Sequence, residues 1–270
     1  MPLRFGISQV HGGATVIEGA RAFCQALGRL LDDQVRLHVA EDYASLAASV
    51  RSGTIELAWM PPFLHIEAAR HGAHLAAVCE RAGALTYRSA LFVRADDPIG
   101  GLEQLRGARV AWTDRSSASG YVFPRLLVVS SVDPAEAFAE ERFLGSPREV
   151  CAAVADGQVD LGACFTSEAH ADDPARTLVD VARIYPAAPW RLRVLAVTGP
   201  IPSDGLVLSS AVDPGGRTRI GGALLRIHEL AQGAESLAKL FFADRLVEVS
   251  RAVVAAIEHM APLLRGERRA

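Results

Sequence analysis

Three serines and a glycine fall within five residues at Ser116-Ser117-Ala118-Ser119-Gly120, and hydroxyls at that density beside glycine suit the holding of an oxyanion. The preceding run Ala108–Trp112 has strand character, and a helical pattern follows from Tyr121 to Val129. The first amides of a helix lack intrahelical partners and lie at the positive end of its dipole. Ser117, Ser119 and Gly120 therefore stand where amides and hydroxyls together make an anion cradle. The plainer reading is an N-cap, since serine favours that position with or without a ligand. The turn lacks the Gly-Lys-Ser/Thr ending of a nucleotide phosphate loop.

No other constellation offers catalysis or metal binding. Among eight histidines, His65, His71 and His74 lack HExxH spacing, and Ser119 sits in Ser-Ala-Ser-Gly rather than a Gly-x-Ser-x-Gly elbow. Cys24, Cys79, Cys151 and Cys164 are scattered through apolar patterns without ligand spacing, which suits free buried thiols. No metal, cofactor or catalytic residue is expected. A net charge of -3 gives no electrostatic case for nucleic acid, and the basic run Arg265–Arg269 reads as a solvated tail. No apolar run approaches the roughly 20 residues that span a bilayer, so membrane insertion is not expected. A signal peptide is also absent. The chain is therefore either cytoplasmic or a mature exported form, periplasmic or lipid-anchored outside the membrane.

The elements that must position the turn follow from periodicity. With 270 residues and 50% hydrophobic content, the chain can bury a large core. Strand-like runs alternate with helical patterns from Leu3 to about Val197, which predicts an α/β class with parallel sheet. A helix is predicted at Thr15–Leu31, a strand at Val35–Val39, a helix at Ala44–Arg51 and a strand at Ile55–Trp59. The spacing also predicts helix from Ala234 to Leu264.

Residues 46–58 echo residues 150–162, each reading as helix, glycine cap, strand. The loops Met60-Pro61-Pro62 and Thr166-Ser167-Glu168 then follow equivalent strands, at the edge where open α/β sheets bind ligands. Two lobes are expected, 1–94 with 203–270 and 95–202, joined by crossover strands at Tyr87–Arg94 and Leu192–Val197 with a ligand cleft between them.

With these pieces in order the chain resembles the phosphonate, phosphite and phosphate substrate-binding proteins of ABC importers. The resemblance covers nearly the whole chain. It rests on Asp42-Tyr43-Ala44-Ser45-Leu46, Gly53 through Trp59, Tyr87-Arg88-Ser89-Ala90-Leu91, Asp97-Pro98-Ile99, Leu102 through Gly107, Ser117-Ala118-Ser119-Gly120-Tyr121, Gly157-Gln158-Val159-Asp160 and Gly199-Pro200-Ile201-Pro202-Ser203-Asp204. It implies a two-lobed type 2 periplasmic-binding-protein fold, two mixed sheets with flanking helices, and Venus-flytrap closure on a small anion that passes to an ABC permease. It further implies that Ser117, Ala118, Ser119 and Gly120 hold the oxyanion, that Tyr87 and Tyr43 assist, and that Glu168 and Asp204 face a cationic or protonated part of the ligand.

Two positions depart from the family. Ala118 stands where threonine is usual, and Gly145-Ser146-Pro147-Arg148-Glu149 replaces a Gly-Ser-His-Glu segment. Arg148 is a candidate substitute donor, since guanidinium binds oxyanions bidentately; its plainer reading is a solvated helix residue. Two alternatives to a binder stand beside it. One is a cytoplasmic enzyme on the same fold, similar to the chorismate dehydratase of a menaquinone route, and the other a small-anion sensor domain.

Overall fold

In the computed structural model, which describes residues 2–11 and 14–260, the two echoing stretches fold alike. The helix Tyr43–Arg51 is capped by Asp42, whose carboxylate accepts from the Ser45 amide at 2.7 Å. The helix Pro147–Ala155 is capped by Ser146, which accepts from the Glu149 amide at 3.2 Å. Beyond each helix a glycine takes the left-handed conformation, Gly53 at φ 73° and Gly157 at φ 70°, where a Cβ would crowd the backbone. Each chain then turns into a strand.

In chain order the strands among the described residues are β1 Leu3–Ser8, β2 Val35–Ala40, β3 Leu57–Met60, β4 His74–Glu80, β5 Thr86–Arg94, β6 Ala108–Trp112, β7 Phe138–Phe143, β8 Leu161–Ser167, β9 Leu192–Val197, β10 Ile201–Pro202, β11 Gly205–Leu208 and β12 Arg245–Val247. The chain divides into two compact units, Met1–Leu85 with Pro202–Ala270 and Thr86–Ile201. β5 and β9 thus lie wholly within the second unit.

The same clamp sets the register in both. Glu56, just before β3, accepts from the amide and Nε of Arg4 at 2.9 and 3.0 Å, and Arg4 Nη2 reaches the Gly53 carbonyl at 3.3 Å. Asp160, just before β8, accepts from the amide and Nε of Arg109 at 2.8 and 3.2 Å, and Arg109 Nη2 reaches the Gly157 carbonyl at 3.4 Å. Partly exposed pairs of this kind contribute roughly 0–1 kcal/mol each, so their effect is on alignment more than on stability.

Strand alternation alone predicts parallel sheet, and each unit instead builds a mixed one. In the first unit the order is β12-β4-β11-β3-β1-β2, with β1 parallel to β2 and β3, and β11 antiparallel to β3 and β4. In the second it is β10-β5-β8-β6-β7, with β9 also on β5; β6 is parallel to β7 and β8, and β5 antiparallel to β8. The antiparallel members are distant segments added to a parallel nucleus, an addition that local periodicity does not register. Their consequence is positional. The first unit gathers the loops after β1, β2 and β3 and the start of β11 at one sheet edge. The second gathers those after β6, β7 and β8 and the start of β5.

Phe5, Phe23 and Phe241 pack at the centre of the first core, with ring centroids 4.7 Å apart for Phe5 and Phe23 and 5.5 Å for Phe23 and Phe241. Phe92, Ala111, Val150 and Val154 do so in the second. All four cysteines are free and buried. No helix is long and apolar enough to cross a membrane among the described residues. The segment expected as continuous helix from Ala234 is broken: a helix ends at Phe241, Phe242 takes φ 51°, and β12 pairs with β4 before a second helix, Arg251–Met260. The apolar spacing persists across the break because β12 buries Leu246 in the same core. Residues 261–264 and the basic run 265–269 lie outside the described residues.

Replacing Gly53 or Gly157 by alanine is expected to cost about 1–2 kcal/mol each, the left-handed penalty of an L-residue, measured by urea unfolding. An unchanged midpoint would show that the chain reroutes without strain.

Candidate functional site

The serine turn departs from the predicted helix start for a reason legible at Pro124. The chain first makes one wide turn over Ala118–Val122, closed by the Val122 amide on the Ser117 carbonyl at 3.0 Å, and only then the helix Phe123–Val129. Pro124 has no N–H to offer the carbonyl four residues before it. That carbonyl, of Gly120, turns back to accept from the Thr113 amide at 3.0 Å, which fastens the turn onto the end of β6. Such wide turns inside helices recur at functional positions.

Ser117 is the cap: its Oγ accepts from the Gly120 amide at 3.0 Å and keeps its own proton to donate. Asp114 shapes the approach, accepting from the Ser116 amide at 2.7 Å on its side chain and from the Ser117 amide at 3.0 Å on its carbonyl. Ser89 of β5 donates to the Ser119 carbonyl at 2.5 Å and so braces the turn from behind. The amides of Ala118 and Ser119 and the Ser119 hydroxyl bond to no other described residue. A Cβ on Gly120 would stand 2.4 Å from Thr113 Oγ1 and 2.7 Å from Ser117 Oγ. The Thr113 hydroxyl is buried and has no hydrogen-bond partner among the described residues. Local patterning gives no sign of Thr113, which looks like the last residue of an apolar strand.

On the rest of the second unit's rim the acidic residue Glu168 is neutralised. Glu168, after β8, accepts from Arg88 Nε and Nη2 at 2.9 and 2.7 Å and from Thr86 Oγ1 at 3.1 Å; the Arg88 guanidinium holds its carboxyl below the usual range. The corner carrying Glu168 is set by buried Asp180, one of whose oxygens accepts from Thr166 Oγ1, the Ser167 amide and Ser167 Oγ at 2.8–3.0 Å, with His170 Nδ1 also at 3.0 Å. Tyr87 is buried with its ring 5.4 Å from that of Phe165. Arg148 lies exposed on the first turn of its helix, without a hydrogen bond or ion pair to any described residue. Pro147 at that helix start costs nothing, because the first-turn amide it lacks would be unpaired anyway.

The first unit's rim carries Tyr43 and Asp204. Tyr43 opens the helix after β2, buried, with its ring 6.3 Å from Trp59. Asp204 is also buried. One of its oxygens takes Arg81 Nη2 at 2.7 Å, the other the Trp59 indole N–H, and Arg81 in turn donates to the Phe241 carbonyl at 2.8 Å and to Ser203 Oγ at 3.2 Å. His65 lies beside this cluster, its Nε2 between the Met60 carbonyl and the Gly205 amide. Burial pushes its pKa down to about 4.

The structure thus brings Ser117, Ala118, Ser119, Gly120, Tyr87 and Glu168 to one sheet edge of the second unit, with Arg148 on the first turn of the helix after β7, and Tyr43 and Asp204 to one edge of the first. Sequence reasoning missed Thr113, Arg81, Arg88 and Asp180. Arg88 alone had a signal, its place inside the Tyr87-Arg88-Ser89 run.

Among known proteins, the family described as periplasmic phosphonate substrate-binding proteins of ABC transporters matches residues 5–253. The phosphate-import protein PhnD of Mycolicibacterium smegmatis is 30% identical over a stretch covering 54% of this chain and 48% of that protein, so the match spans about half of the relative's length. Among solved structures, PhnD1 of Prochlorococcus marinus in complex with methylphosphonate superposes with a TM-score of 0.81 at 15% identity, covering 99% of this chain and 98% of that one. A binding-protein component of an ABC phosphonate transporter from Pseudomonas aeruginosa gives 0.81 at 22% identity, covering 96% and 85%. At such identities the structures speak for the fold.

Gly120→Ala is expected to lower stability by about 1–3 kcal/mol, the usual cost of overpacking, as read by thermal or urea unfolding; wild-type stability would mean the turn does not rest on β6. His65 generates a pH dependence. The unfolded chain takes up the imidazole proton below 6.5 and the folded chain only below about 4, so stability falls as pH drops through that window, by about 3 kcal/mol in full. His65→Gln should flatten that slope in unfolding measured between pH 7 and 4.

Proposed function

Because this chain belongs to the family of periplasmic phosphonate substrate-binding proteins of ABC transporters, we propose that it captures a small oxyanion of the phosphonate, phosphite or phosphate class and delivers it to an ABC permease from the periplasmic side. The observation that carries this reading is the serine turn. Two amides without partners among the described residues, of Ala118 and Ser119, and two hydroxyls, of Ser117 and Ser119, lie at the start of a helical segment whose dipole favours negative charge. Donors of this kind suit a tetrahedral oxyanion, and bonds to a charged acceptor are the stronger ones.

In this reading Ser117 and Ser119 donate their hydroxyl protons, and the threonine position occupied by Ala118 contributes its amide alone. Gly120 lets the turn lie flat on β6. Tyr87 supplies a phenolic donor within the same unit, and Arg148 adds attraction from the first turn of the helix Pro147–Ala155. Glu168 borders the ligand's substituent. The reading favours a binder over an enzyme because the family that matches residues 5–253 is one of transport substrate-binding proteins.

Titration calorimetry with phosphate, phosphite and methylphosphonate should give saturable one-site binding to at least one of them; heats of dilution alone for all three would sink the reading. Ser117→Ala should weaken the bound anion by about 1–3 kcal/mol, and unaltered affinity would reduce Ser117 to a helix cap.

A further inference from the structure

Both carboxylates expected to face a cationic part of the ligand already have a cation. Glu168 meets Arg88 through two hydrogen bonds and Thr86 through a third. Asp204 meets Arg81 on one oxygen and the Trp59 indole on the other. The two pairs differ in depth: both side chains of the Arg81–Asp204 pair are about 5% exposed, those of Arg88 and Glu168 about a quarter. Neither arginine is loosely placed. Arg81 is also held by the Phe241 carbonyl and Ser203, and Arg88 Nη1 reaches the Thr198 carbonyl at 3.2 Å. Guanidinium does not deprotonate in proteins, so each pair is neutral at any pH at which the carboxylate is charged.

At the Arg88–Glu168 pair a ligand ammonium meets a carboxylate with a guanidinium nitrogen 2.7 Å away, and the attraction of the first is offset by the repulsion of the second. To accept it fully, Glu168 would have to surrender Arg88 and leave a poorly solvated charge uncompensated. We infer that Arg88 is a specificity-determining residue of the second unit that turns the serine-turn edge away from anions bearing an ammonium group, such as aminoalkylphosphonates, and toward oxyanions with a neutral substituent or none. This rests on the oxyanion reading above and narrows it.

The test compares methylphosphonate with 2-aminoethylphosphonate by titration calorimetry on the wild-type protein and on Arg88→Gln. The wild type is expected to bind methylphosphonate at least tenfold more tightly. Arg88→Gln, which frees the more exposed carboxylate, should shift that ratio at least threefold toward the aminated ligand. Equal or tighter binding of 2-aminoethylphosphonate by the wild type overturns the inference while leaving the oxyanion reading intact, and so does a folded Arg88→Gln protein with an unshifted ratio. If Arg88→Gln does not fold, the wild-type ratio decides alone. Failure of the wild type to bind methylphosphonate, 2-aminoethylphosphonate, phosphate or phosphite overturns the oxyanion reading itself.

Discussion

A turn that presents amides outward must itself be fastened inward, and here the fastening is the contact of Gly120 with the end of β6. The Gly120 carbonyl has no helical donor at Pro124 and accepts from Thr113 instead, and a Cβ at position 120 would collide with the Thr113 side chain. Two residues with opposite backbone talents therefore make one piece of geometry. The glycine permits contact and the proline removes a competing donor. Ser89 on β5 then ties the turn to a third strand of the same sheet, so the hydroxyls rest on rigid backbone and not on a mobile loop.

Electrostatics is handled by arginines in pairs. Arg4 and Arg109 grip the acidic residue preceding β3 and β8 and align the parallel strands in each unit. Arg81 and Arg88 neutralise the acidic residue on each rim. The first two act on register, in partly exposed settings where an ion pair contributes little energy. The second two fix how much free negative charge each rim carries, and the Arg81–Asp204 pair is buried deeply enough that its partners cannot be separated cheaply.

The legible parts of the fold were those whose cause is local. Gly53 and Gly157 announced the ends of two helices, and Ser117 announced a cap, because left-handed backbone and a capping oxygen are requirements of a few consecutive residues. The break at Phe242 was not legible, since Leu237, Leu240, Val253 and Ile257 keep apolar spacing on both sides of it. Apolar period reports which residues are buried, and β12 buries its own in the same core as the helix before it. The mixed sheets were equally hidden from periodicity, because a strand carries no mark of its neighbour's direction.

By itself the sequence determined the serine turn, its place between strand and helix, the doubled helix-glycine-strand unit, and the order of segments that marks the family. Those features depend on neighbours along the chain. Only the tertiary structure decided that Asp204 is matched by Arg81, 123 residues away, and Glu168 by Arg88, 80 residues away. Pairing of side chains so distant in sequence is set by which strands lie side by side and in what register, and it is this pairing, more than the residue types, that decides whether an acidic residue offers charge to a ligand or keeps it within the protein.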